Sequence, residues 1–200
     1  MQNWSFKQFL NSENTAWVED YYAGLTSALK KYNVDGDILE TVNRFGSRDT
    51  QYILVESKNI ILGGIRIEIK TADNLLPLEK SKLSHDAKLI NRVNALTQNG
   101  RLTIAELCGL WTNSEAKERL GGVKGLGQLL CDQAYKATRE LGIDSMIAIL
   151  PRHSLQFLLN LNFTVDPDLK DISYPDDRYL STVVWMKQTE KQLSTQLENI

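Results

Sequence analysis

Apolar positions along this chain change their period several times, and each change marks an element. Trp17, Tyr21, Leu25 and Leu29 recur every fourth residue behind Ser12 and Thr15, both plausible caps, and predict an amphipathic helix over 13–31. A shorter helix is expected over 37–44, stopping near Gly46. Residues 51–56 and 59–70, rich in Ile, Val and Tyr, read as two strands joined at Ser57-Lys58. Gly63-Gly64 in the second marks a bulge or a close backbone approach. The stretch 75–84, with Pro77, reads as irregular. Leu89, Val93 and Leu96 then predict a helix from Ser84 that ends before Asn99-Gly100.

Leu102 to Trp111 reads as a strand and 112–122 as a polar loop. Leu126, Leu129, Leu130, Ala134, Ala137 and Leu141 form one stripe of a helix that Gly142 closes as a left-handed cap. Ser145 to Leu150 is almost continuously apolar, the pattern of a strand buried on both faces. A helix opening at Pro151-Arg152-His153-Ser154 runs to Asn162. Strands are expected at 163–165 and 181–186, with a loop rich in Asp and Pro over 166–179. The order predicts an α/β (α+β) fold: a mixed central sheet with helices on both faces, a helical N-terminal segment over 1–48 and a helical insertion between strands. We expect one domain over 1–187 and a polar tail over 188–200.

Charge narrows the function. With 23 basic and 25 acidic residues the formal net charge is -2, which gives no nucleic-acid or membrane footprint, so any anion site is local. No signal peptide or 18-residue apolar run is seen, and a soluble, cytoplasmic protein is expected. Cys108 and Cys131 have no metal-binding spacing and read as buried free thiols, with Cys108 as a nucleophile the lesser alternative. No metal is expected.

Two features carry candidate chemistry. Gly122-Val123-Lys124-Gly125-Leu126-Gly127 joins a strand to a helix, where unpaired amides and the helix dipole favour an anion. It is neither a P-loop, since Gln128 and Leu129 follow the last glycine, nor a Rossmann fingerprint, which opens the first βα unit. A plain helix-entry turn fits these glycines as well. Strand alternation puts Leu102, Ile104, Glu106, Cys108 and Leu110 on one face, so Glu106 interrupts an apolar stripe. It is a candidate base or a structurally paired glutamate.

The strand, glycine junction and helix, then Ser145 to Leu150 with a helix ending Asn162-Phe163, resemble the GNAT superfamily of acyl-coenzyme A N-acyltransferases over about 50–187. Gly122 stands where that signature has Arg or Gln, and Leu158 near the usual tyrosine acid. Pro151-Arg152-His153 and the insertion at 84–97 resemble the branch of N-acyl amino acid synthases and acyl-homoserine lactone synthases. The resemblance implies an acyl-CoA co-substrate, with acetyl the default and a long-chain acyl group the alternative, and a small-molecule or peptide amine acceptor. It implies that backbone groups of Leu110, Trp111 and Thr112 meet the acyl carbonyl, and that Gly122, Val123, Lys124, Gly125, Leu126, Gly127 and Gln128 hold the pyrophosphate. Glu106 is the expected base, with His153 or Tyr179, and less so Tyr174, as proton donors. A homodimer through the late strands fits the resemblance, and a non-catalytic coenzyme A-binding or partner-binding protein is the other class of reading.

Overall fold

The computed structural model describes residues 4–13, 15–31, 34, 49–119, 124–175 and 177–187. The helix expected over 37–44 and the tail 188–200 lie outside them. The chain opens with strand β1 (Ser5–Leu10) and helix α1 (Thr15–Lys30), followed by β2 (Gln51–Ser57) and β3 (Ile60–Ile69). Next come α2 (Pro77–Lys80), α3 (Ala87–Thr97), β4 (Ile104–Thr112) and α4 (Ser114–Arg119). The last part is α5 (Leu126–Glu140), β5 (Ser145–Pro151), α6 (Arg152–Leu159), β6 (Thr164–Val165), β7 (Ile172–Ser173) and β8 (Leu180–Lys187).

All the described strands join one mixed sheet in the order β1-β2-β3-β4-β5-β8-β6, with β7 also on β8. The β2–β3 connection turns at Lys58 and Asn59, both with positive φ (51° and 61°), as a tight two-residue hairpin of matching twist requires. The N-terminal segment is helical from Thr15, as expected, but begins with a strand that pairs with β2 along its whole length. Phe9 stacks on Tyr52 at 5.5 Å and Lys7 pairs with Glu56 at 2.7 Å.

Helices cover both faces. On one, α5 and α6 bury Leu126, Leu130, Ala134 and Leu158 against Ile65, Ile67, Leu107, Ala148 and Val184. The other face carries two apolar clusters. Tyr21 and Leu25 of α1 pack on Tyr52, Leu54 and Trp111, and the α2–α3 insertion packs Leu78, Leu89 and Val93 on Ile104, Ile147 and Val183. Polar side chains of β3 and β4 are buried between those clusters.

Among the described strands only β4 and β5 pair in parallel, and they do so over three residue pairs: Ile104 with Ser145, Ala105 with Met146, and Glu106 with Ile147. Beyond Glu106 the strands part, although β4 continues to Thr112 and β5 to Pro151.

Candidate active site

Glu106 occupies the last residue pair before the two strands separate. It is 2% exposed, and among the described residues its carboxyl takes one hydrogen bond, from Leu78 N–H to Oε2 at 2.8 Å. Loss of water around it outweighs that bond and the nearby Arg66 charge, pushing the carboxyl up to about 8. A group that holds a proton at neutral pH and releases it just above suits proton transfer.

Around it lies the buried polar set. Arg66, fully buried, donates from Nε to Cys108 Sγ (3.3 Å) and from Nη1 to Tyr22 Oη (3.1 Å), and its Nε is 3.3 Å from Glu68 Oε1. Thr50 Oγ1 donates to Glu68 Oε2 at 2.7 Å. Burial pushes the Cys108 thiol up to about 12, which leaves it a poor nucleophile at neutral pH. Tyr174, from the loop before β8, is the phenol that burial and the neighbouring Glu106 and Cys108 hold well above its ordinary range. Tyr179 instead has its ring beneath the Arg178 guanidinium at 5.5 Å. His153 is exposed in the first turn of α6.

The face assignment on β4 holds as far as Cys108 and then reverses. Gly109 (φ 60°) and Leu110 together oppose Ile65 in a bulge, so Leu110 packs on the α5 face and Trp111 on the α1 face. Asn113 N–H donates to Leu62 O at 2.7 Å. Alternation back from there turns the N–H groups of Leu110 and Thr112 towards the gap between β4 and β5. Gly63 and Gly64 serve close approach: a Cβ at Gly63 would stand 2.6 Å from Trp111 O, and one at Gly64 3.0 Å from Trp111 Nε1.

The glycine junction lies at the same end of the sheet. Gly122 and Val123 fall outside the described residues. Gly125 caps α5 in the left-handed region (φ 78°), a Cβ there would meet no described residue within 4 Å, and the first-turn amides of α5 follow it. Lys124 is exposed beside it. Leu126 is buried in the core, and only the backbone amide of this first-turn residue can serve an anion. Gly127 also lets α5 and α6 pack, because a Cβ there would lie 2.5 Å from the Phe157 ring. Gly127→Ala should therefore destabilise the fold by about 1–3 kcal/mol, measurable by urea unfolding, while leaving Gly125 untouched. The Gln128 side chain also ties these helices, through Phe157 O (3.0 Å) and Asn160 Nδ2 (2.8 Å), and leaves only its amide for a ligand. Leu158, at the usual tyrosine position, is buried in the core.

Sequence reasoning passed over Arg66 and Glu68. Their signal was the alternation Ile65-Arg66-Ile67-Glu68-Ile69, which reads as a solvated face until α1 and the insertion cover it.

No family model and no curated protein matches this chain. Solved structures do. FeeM, an N-acyl amino acid synthase from uncultured soil microbes, aligns over 94% of this chain and 92% of its own at 11% identity, TM-score 0.66. The chain has the GNAT fold. An acyl-CoA N-acyltransferase from Pseudomonas aeruginosa shares that fold over 92% of this chain and 99% of its own, at 12% identity and TM-score 0.59. So does the acyl-homoserine lactone synthase LasI, over 94% and 91%, at 12% identity and TM-score 0.54. No described helix of this GNAT-fold chain is long and apolar enough to cross a membrane.

Proposed function

We propose that this chain is an N-acyltransferase that moves an acyl group, acetyl in the first reading, from acyl-coenzyme A to a primary amine. The observation that carries the reading is the buried carboxyl of Glu106 at the point where β4 and β5 part, with the left-handed Gly125 entry to α5 at the same end of the sheet. Glu106 takes the proton of the incoming ammonium through its second oxygen, by way of a bridging water, since Leu78 and Tyr174 leave the carboxyl little direct exposure. The amine nitrogen bonds to the thioester carbon, the C–S bond breaks, and the nitrogen releases its second proton to water in the gap. The departing thiolate takes its proton at the solvent-open end of the gap, where His153 and Tyr179 are the proposed side-chain sources. Amides turned into the gap near Leu110 and Thr112 would stabilise the developing oxyanion, a contribution of about 3 kcal/mol per donor.

This reading takes 1–187 as one acyltransferase domain, needs no metal and places the protein in the cytoplasm, where Cys108 and Cys131 stay as free thiols. A long-chain donor is the second reading. The apolar α2–α3 insertion beside the gap and the fold shared with FeeM favour it.

Calorimetry with acetyl-, palmitoyl- and free coenzyme A tests the proposal, with Gly125→Glu as the control. That position has room for a side chain and costs about 1–2 kcal/mol of left-handed strain, so the variant should fold and lose coenzyme A affinity at least a hundredfold. Unchanged affinity would remove the phosphates from this junction. Binding without turnover over a broad amine panel would leave a coenzyme A-binding protein and no enzyme.

A further inference from the structure

Two buried carboxyl groups face each other across β3 and β4. Glu68 stands directly opposite Glu106 in the strand register, and the two are 3% and 2% exposed. A single guanidinium lies beside them, and their hydrogen bonding is unequal. Glu68 has Arg66 Nε at 3.3 Å on one oxygen and Thr50 Oγ1 at 2.7 Å on the other. Glu106 has the Leu78 amide. Two carboxylates so close in a water-poor interior do not both ionise readily, and the guanidinium lies on the Glu68 side of the pair.

We propose that Glu68 and Arg66 are the positioning pair of Glu106: by engaging the guanidinium, Glu68 leaves Glu106 as the carboxyl that gains and loses the proton. The catalytic consequence rests on the acyltransferase reading, whereas the proton itself does not.

The other groups facing Glu106 do not compete for this role. Glu79 of α2 is held by Lys70 at 2.5 Å and by Leu76 N–H at 2.9 Å. Cys108, on the same strand, and Tyr174, before β8, are neutral at working pH, burial holding each above its ordinary range. From β5 the opposing residue is Ile147. Arginine keeps its charge in any such setting, so Arg66 is the cation whose partner decides where the proton sits.

Glu68→Gln preserves volume and an acceptor for Thr50 while releasing Arg66 towards Glu106. The expected result is a kcat/KM profile whose rising limb moves at least one pH unit lower, so that relative activity at pH 6 increases about tenfold. Arg66→Met should move the limb upward. If activity falls equally at all pH values with the limb unmoved, Glu68 is merely structural and the proposal is overturned. Urea unfolding against pH reads the same proton without substrate. Stability of the wild type should fall up to about pH 8, that fall should vanish in Glu106→Gln, and in Glu68→Gln it should end at lower pH. The unfolding series therefore judges the pair even if no amine is ever acylated, and an unmoved Glu68→Gln curve sinks the pair while leaving the acyl-transfer reading intact.

Discussion

Glu106→Gln should lose about a hundredfold or more in kcat/KM and, at the same time, make the protein harder to unfold at pH 8. The carboxyl titrates near 4.5 in the unfolded chain and about 8 in the fold. Between those values the unfolded chain has released a proton that the folded protein keeps, so stability falls as pH rises through the window and is flat above it. The full penalty is about 5 kcal/mol, an upper estimate for a group that some water still reaches. Glutamine accepts from Leu78 N–H as glutamate does and never charges, so the variant should gain several kcal/mol at pH 8 and little at pH 5. Paired urea titrations at the two pH values, beside turnover of acetyl-coenzyme A, measure both halves. Equal stability of wild type and variant at both pH values would mean that the carboxyl is not held protonated.

Gly109→Ala should be a strongly damaging single methyl, through backbone and contact together. Its φ of 60° already strains any L side chain, and the new Cβ would fall inside contact distance of the Tyr21 hydroxyl. That hydroxyl donates to Gly109 O at 2.7 Å, so the clash would also break a buried hydrogen bond. Strain of about 1–2 kcal/mol, overpacking of about 1–3 kcal/mol and the lost bond of about 1 kcal/mol give about 3–6 kcal/mol. The bulge aims Leu110, Trp111 and Thr112, so coenzyme A affinity should fall with stability. Tyr21→Phe supplies the control. With the hydroxyl gone, the nearest ring atom stands 3.4 Å from the added Cβ, and the double variant should be more stable than Gly109→Ala alone. A purely additive cycle would place the cost in the backbone rather than the contact.

Much of this was legible in residue order. The four-residue recurrence of Trp17, Tyr21 and Leu25 located α1, and Gly142 ends α5 with the left-handed φ (68°) expected of it. Glu106 stood out because one carboxylate interrupts an apolar stripe. What escaped depends on long-range contact. Ser5 to Leu10 mixes polar and aromatic residues without a clear period and is a strand only because β2 offers its edge. Thr112 to Gly122 reads as loop, yet α4 forms there, with Asn113 Oδ1 accepting from Ala116 N–H at 3.0 Å. The bulge at Gly109 leaves no mark beyond the glycine itself. Between two loop tyrosines, only the folded chain shows that Tyr174 is the one beside Glu106.

Past Glu106, the sides of β4 and β5 that face one another form an edge enclosed within a sheet rather than at its rim. Edges present main-chain donors and acceptors, and what they hold is chosen by shape and spacing, not by side-chain identity. Such a surface can keep its geometry while nearly every residue around it is replaced.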